Sequence, residues 1–137
     1  MTRTFAAILA LSFATPALAE GDAAAGEKEF NKCKSCHMIV ADDGTEIVKG
    51  GKTGPNLYGV IGRQAGTADF RYGDDLVAAG EAGLVWDEAN LAEYTKDPRA
   101  FLRTFLDDSS AKSRMAFKLR KGSEDVAAYL ASVGPQS

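Results

Sequence analysis

The amino-acid sequence predicts an all-α chain of short helices joined by long loops. Three observations point there. Apolar residues recur at helical spacing behind capping residues at Asp22, Asp87 and Asp97 and again from Ser123. Residues 39–69 carry Gly44, Gly50, Gly51, Gly54, Gly59, Gly62 and Gly66, which suits loop wrapped around something other than its own side chains. No run reads convincingly as a strand, and no repeat or low-complexity segment interrupts the chain.

The elements follow in order. Asp22 caps a helix expected to run to about Cys33, with Ala23, Ala24 and Ala25 as strong helix formers. A short helix is expected from Asp74 to Ala79. Asp87 starts the next, and Trp86 and Leu91 staple its entry. It ends by Asp97, because Pro98 disfavours helical geometry in the residue ahead of it. Asp97 then caps a further helix with Pro98 at its first position and Phe101, Leu102 and Phe105 turned inward. Asp107, Asp108, Ser109 and Ser110 break it. Ser123 opens a last helix in which Val126, Ala127, Leu130 and Val133 share one face.

The first residues fall outside this scheme. Arg3 gives a basic start, an apolar run from Phe5 to Phe13 follows, and Pro16 leads to Ala17-Leu18-Ala19. That order is a secretory signal peptide, expected at residues 1–19 with cleavage after Ala19. The alternative, a membrane anchor, needs roughly 20 apolar residues, more than this run has. One domain is expected over residues 20–137, not membrane-spanning. Loss of Arg3 with no acid takes the formal charge from −3 to −4. Such a chain is not built to coat nucleic acid.

The motif that carries chemistry is Cys33-Lys34-Ser35-Cys36-His37. Cys-x-x-Cys-His is the attachment signal for a c-type haem. Two thiols three positions apart reach both vinyl groups of a porphyrin from one helical turn, and the next residue offers an imidazole to the iron. A thioredoxin-like dithiol expects a βαβ setting, which is not visible. A closed zinc site needs four ligands, and the chain has two cysteines and one histidine. A disulfide would leave His37 without a task. With a single histidine, bis-histidine ligation within one chain is ruled out. Methionine is the usual second ligand of electron-transfer cytochromes c. Met1 lies in the expected leader, and Met38 sits too close to His37 to reach the far face. Met115, 78 residues beyond His37 in a polar, loop-like setting, is the remaining candidate. Its alternative role is core filler.

Taken together, the chain resembles a class I cytochrome c, closest to the larger bacterial cytochromes c2. The likeness spans residues 21–133. It rests on Gly26 to Phe30, Cys33 to His37, Lys52-Thr53-Gly54-Pro55-Asn56-Leu57-Tyr58-Gly59, Gly62-Arg63, Trp86, Tyr94, Asp97-Pro98, Met115-Ala116-Phe117 and Val126 to Leu130. The resemblance implies the class I cytochrome c fold around one covalently bound haem c. It implies thioether bonds at Cys33 and Cys36, with His37 and Met115 as axial ligands. Pro55 would accept from the second ring nitrogen of His37, and Tyr94 would approach the Met115 sulfur. Arg63, Tyr72 and Trp86 would hold the haem propionates. Trp86 reads equally as core packing, and Arg63 as an exposed cation. Gly26 and Phe30 would pack on Tyr129 and Leu130.

The expected activity is one-electron transfer, not enzyme catalysis. Two protein ligands leave no open position on the iron. Residues 112–121 carry +5 and residues 69–97 carry −6, which suggests opposed patches. A basic rim with Lys28, Lys32, Lys34, Lys52 and Arg99 would steer the carrier to acidic partners. By resemblance these are a membrane cytochrome bc complex as donor and a photosynthetic reaction centre or terminal oxidase as acceptor, met by a monomer in the periplasm. A carrier dedicated to one periplasmic dehydrogenase or reductase is the alternative. A haem-free dithiol oxidoreductase is the rival from another class.

Overall fold

The structure is a computed structural model, and it describes residues 21–135. The expected leader and its cleavage point lie outside them. Five α-helices occupy Ala23–Glu29 (α1), Asp74–Glu81 (α2), Glu88–Lys96 (α3), Pro98–Leu106 (α4) and Ser123–Val133 (α5). A 3-10 turn, Phe30–Lys32, carries α1 towards Cys33. Among the described residues no helix is long and apolar enough to cross a membrane.

Three aspartates set helix starts. Asp22 accepts from the backbone N–H groups of Ala24 and Ala25, at 2.9 and 3.3 Å. Asp87 forms a capping box with Asn90, each side chain taking the other's backbone N–H at 2.7 and 2.8 Å. Asp97 accepts from Ala100 N–H at 3.0 Å with Pro98 at the first position of α4. Each cap satisfies donors that the first helical turn leaves open.

Helices α1 and α5 cross with almost no space between them. A Cβ on Gly26 would overlap the Asp125 carbonyl and stand 2.8 Å from the Tyr129 Cβ. One turn on, the rings of Phe30 and Tyr129 lie 5.7 Å apart. Only glycine lets the two backbones approach this closely. Helix α3 packs on α5 and on α4, and Trp86, Tyr94 and Phe101 form one aromatic group with centroids 4.9 to 6.0 Å apart.

Two expectations need correction. The stretch after His37 contains a small antiparallel hairpin, Ile39–Val40 (β1) with Glu46–Val48 (β2). These strands are two and three residues long and their register is broken by an irregularity, so no alternating pattern exists to be read. The turn is local chemistry: Gly44 sits at φ +89°, and Ala41 N–H bonds the Thr45 carbonyl at 2.9 Å. Phe105 does not turn inward. Leu102 is fully buried, but Phe105 is 39% exposed and stacks on the outer face of Phe101, at 6.1 Å and 9°.

Candidate functional site

The helices and the glycine-rich loop line a cavity of about 510 Å³. Its walls are mostly apolar and include Phe30, Leu57, Val60, Leu76, Leu91 and Leu130. All nine residues singled out in the sequence line it: Cys33, Cys36, His37, Pro55, Arg63, Tyr72, Trp86, Tyr94 and Met115. They are spread along the chain from residue 33 to residue 115, so the fold alone assembles them.

His37 is fixed from behind. Its Nδ1 lies 2.8 Å from the Pro55 carbonyl oxygen. A carbonyl only accepts, so Nδ1 carries the hydrogen and Nε2 keeps its lone pair free for a metal. Burial pushes the imidazole pKa below its ordinary value, and the Pro55 carbonyl pulls weakly the other way. The neutral ring is therefore the resident form at neutral pH, and neutral imidazole is the form that ligates.

The loop behind His37 is pressed backbone to backbone. Gly51 N–H bonds the Lys34 carbonyl at 2.9 Å, and Gly54 N–H bonds the Cys36 carbonyl at 2.8 Å. A Cβ on Gly54 would overlap the His37 ring itself. Asn56 then clamps Val40 with both side-chain groups, at 3.0 and 2.8 Å, in the manner of a paired strand. That ties the hairpin to the histidine wall.

The two thiols differ. Cys33 is half-buried, and burial, with Glu29 nearby, pushes its pKa up to about 11. Cys36 is exposed, and hydrogen bonds from Thr53 and then Ser35 hold it below the ordinary thiol value. They are not joined in a disulfide.

Arg63 and Trp86 are neighbours because the chain pairs there: Trp86 N–H bonds the Arg63 carbonyl at 2.9 Å, and Gln64 bridges to Val85. The Arg63 guanidinium also reaches the carbonyls of Tyr58 and Asn56, at 3.3 and 3.4 Å. Arg63 is thus a half-buried, anchored cation at the cavity wall.

Met115 sits in a non-helical segment after α4, half-buried against the core. Tyr94 shares its cavity, with the Ser113 side chain near its hydroxyl. Burial raises the Tyr94 pKa, and the Ser113 bond opposes that rise. Ser113 Oγ also donates to the Met115 carbonyl at 2.9 Å. Sequence reasoning missed Ser113. Its only signal was a hydroxyl two residues before the candidate methionine.

The charged runs are not opposed as expected. Lys118 pairs with Asp97 at 3.1 Å, and Lys112 N–H bonds the Asp75 carboxylate at 2.7 Å. The basic and acidic segments therefore touch at these two points, the second through the Lys112 backbone. Lys32 is likewise paired, with Glu29 at 2.8 Å. Lys28, Lys34, Lys52, Arg99 and Arg114 remain exposed.

An apolar cavity with two thiols, a metal-ready imidazole, a thioether and an anchored cation fits a haem. It defines a c-type cytochrome. No family model matches the chain. It is 75% identical over 138 residues to cytochrome c-551 of Roseobacter denitrificans, spanning 100% of this chain and 99% of that protein. It is 66% identical over 131 residues to cytochrome c2 of Rhodobacter capsulatus, spanning 95% of each. The solved structure of the Rhodobacter capsulatus cytochrome c2 superimposes with a TM-score of 0.81 at 68% identity, covering 82% of this chain and 98% of that one. The chain belongs to the cytochrome c2 family of class I c-type cytochromes, electron-transfer proteins with one covalently attached haem c.

Proposed function

We propose that this protein is a soluble one-electron carrier of the periplasm, not an enzyme. The observation that carries the reading is the joint placement of His37 and Met115 on a single cavity that also receives Cys33 and Cys36. In this reading Cys33 and Cys36 would hold the haem by thioether bonds, and His37 Nε2 and the Met115 sulfur would be the protein donors to its iron. The haem iron supplies the one-electron redox change. The chain supplies the rest. The Pro55 carbonyl orients and enriches the imidazole, Arg63, Tyr72 and Trp86 receive the propionates, and the apolar walls exclude water. Tyr94, on the same cavity, would approach the Met115 sulfur.

The donor is a cytochrome bc complex, and the acceptor a photosynthetic reaction centre or terminal oxidase. The exposed Lys34, Lys52 and Arg114 steer the encounter. A dedicated role beside one periplasmic dehydrogenase or reductase is the second reading.

Absorption spectra test the ligand set. The purified holoprotein should show a sulfur-to-iron charge-transfer band in the ferric state, and Met115→Ala should abolish it and lower the reduction potential. A variant that keeps both band and potential removes Met115 from the ligand set. The rate of electron transfer to isolated membranes should fall as salt rises. A salt-independent rate would speak against charge steering.

A further inference from the structure

We propose that Asp75 is a positioning residue that holds the Met115 segment in register across the cavity mouth. The inference rests on the reading of Met115 as an axial ligand. Residues 111–122 have no helix or strand of their own, so their shape depends on ties to other elements. At the trailing end, Lys118 pairs with Asp97 and Leu119 N–H bonds the Thr95 carbonyl at 2.8 Å. At the leading end, the tie is to α2. Asp75, in the first turn of that helix, accepts the Lys112 backbone N–H at 2.7 Å, across 37 residues of sequence.

That bond is short and charge-assisted, so it is among the stronger single ties available to a loop. It also acts on backbone, and that matters for register. Fixing the Lys112 amide fixes where Ser113 begins. Ser113 then donates to the Met115 carbonyl. A second contact supports the same end: Arg114 donates to the Arg71 carbonyl at 3.2 Å, and its aliphatic stem lies over Gly73. Helix α2 and the residues before it thus clasp the ligand segment three residues ahead of the methionine. The backbone path runs from the Asp75 carboxylate through Lys112 and Ser113 to Met115.

Removing the carboxylate frees the leading end while the trailing ties persist. The segment then opens more often and the methionine leaves the iron more often. Imidazole in solution reads this directly, because its apparent affinity scales with the open fraction. The experiment titrates imidazole into the ferric holoprotein and follows loss of the sulfur–iron band, with urea unfolding as the measure of global stability. Asp75→Ala should bind imidazole roughly tenfold more tightly, the scale set by one charge-assisted hydrogen bond. Asp75→Asn keeps an acceptor and should return most of the way to wild type. Asp74→Ala makes the same charge change next door and should match wild type. Equal affinities for Asp75→Ala and wild type overturn the proposal, as does an equal gain in Asp74→Ala. If Asp75→Ala yields no holoprotein, Asp75→Ser, whose side chain is too short to reach Lys112, replaces it with the same two outcomes. A wild-type protein without the band defeats the Met115 reading itself, and the clasp falls with it. A normal band with unmoved imidazole affinity defeats the clasp alone.

Discussion

On the His37 side of the cavity, backbone lies against backbone. On the Met115 side, side chains reach across open distance. Behind the imidazole, Gly51 and Gly54 bond directly to Lys34 and Cys36, and there is no room for even a methyl group at Gly54. Around the methionine, most ties run through side chains: a carboxylate on Lys112, a guanidinium on Arg71, a hydroxyl on the Met115 carbonyl and an ion pair between Lys118 and Asp97, with one backbone bond, Leu119 N–H to the Thr95 carbonyl, at the trailing end. Close backbone packing has few alternative arrangements, because any shift meets a steric wall. Side-chain ties can be released one at a time, since each is small and partly exposed. The histidine wall is therefore built to stay, and the methionine wall is built to be adjustable.

The sharpest way to break that comparison is at Gly54. Gly54→Ala places a Cβ on the His37 ring, so the ring or the loop must shift to admit it. Overpacking of this kind costs about 1–3 kcal/mol, and the upper end is expected here because the obstructing atoms belong to a ring held by Pro55. Urea unfolding of the ferric holoprotein measures it. The reduction potential should shift as well, while the sulfur–iron band persists. A Gly54→Ala protein as stable as wild type would show that the histidine wall is as compliant as the methionine wall.

What the sequence alone made legible follows the same division. The caps at Asp22, Asp87 and Asp97 were readable because a cap and its helix are adjacent in the chain. The Cys33-to-His37 motif was readable because its spacing encodes its geometry. The partnership of His37 with Pro55 was reachable only through family resemblance, since 18 residues separate them. Ser113 and Asp75 were invisible for a physical reason. Their roles come from tertiary approach, and a serine or a helix-start aspartate has many commoner uses. The β1–β2 hairpin was missed because two- and three-residue strands are too short to show a period. Phe105 was misplaced because one apolar stripe on α4 serves two purposes: Leu102 enters the core, while Phe105 covers Phe101 from outside.

The smallest expected effect lies at the trailing tie. Asp97 caps α4 through the Ala100 N–H and pairs with Lys118, and both hold its carboxyl below the usual carboxylate value of 3.8. The sign of the pH dependence follows. A carboxyl with a depressed folded-state pKa stabilises the fold above its unfolded value, and that contribution disappears as pH falls through the depressed value. Asp97→Ala should therefore unfold at lower urea than wild type at pH 7, and the gap should close on acidification below about pH 4. The side chain is 38% exposed, so the neutral-pH difference should be modest and should shrink further in salt, leaving mainly the lost cap. Imidazole affinity should rise less than in Asp75→Ala, because Leu119 N–H still holds the Thr95 carbonyl when the ion pair is gone. An Asp97→Ala protein that opens its methionine as readily as Asp75→Ala would place the weak point of the segment at its trailing end instead.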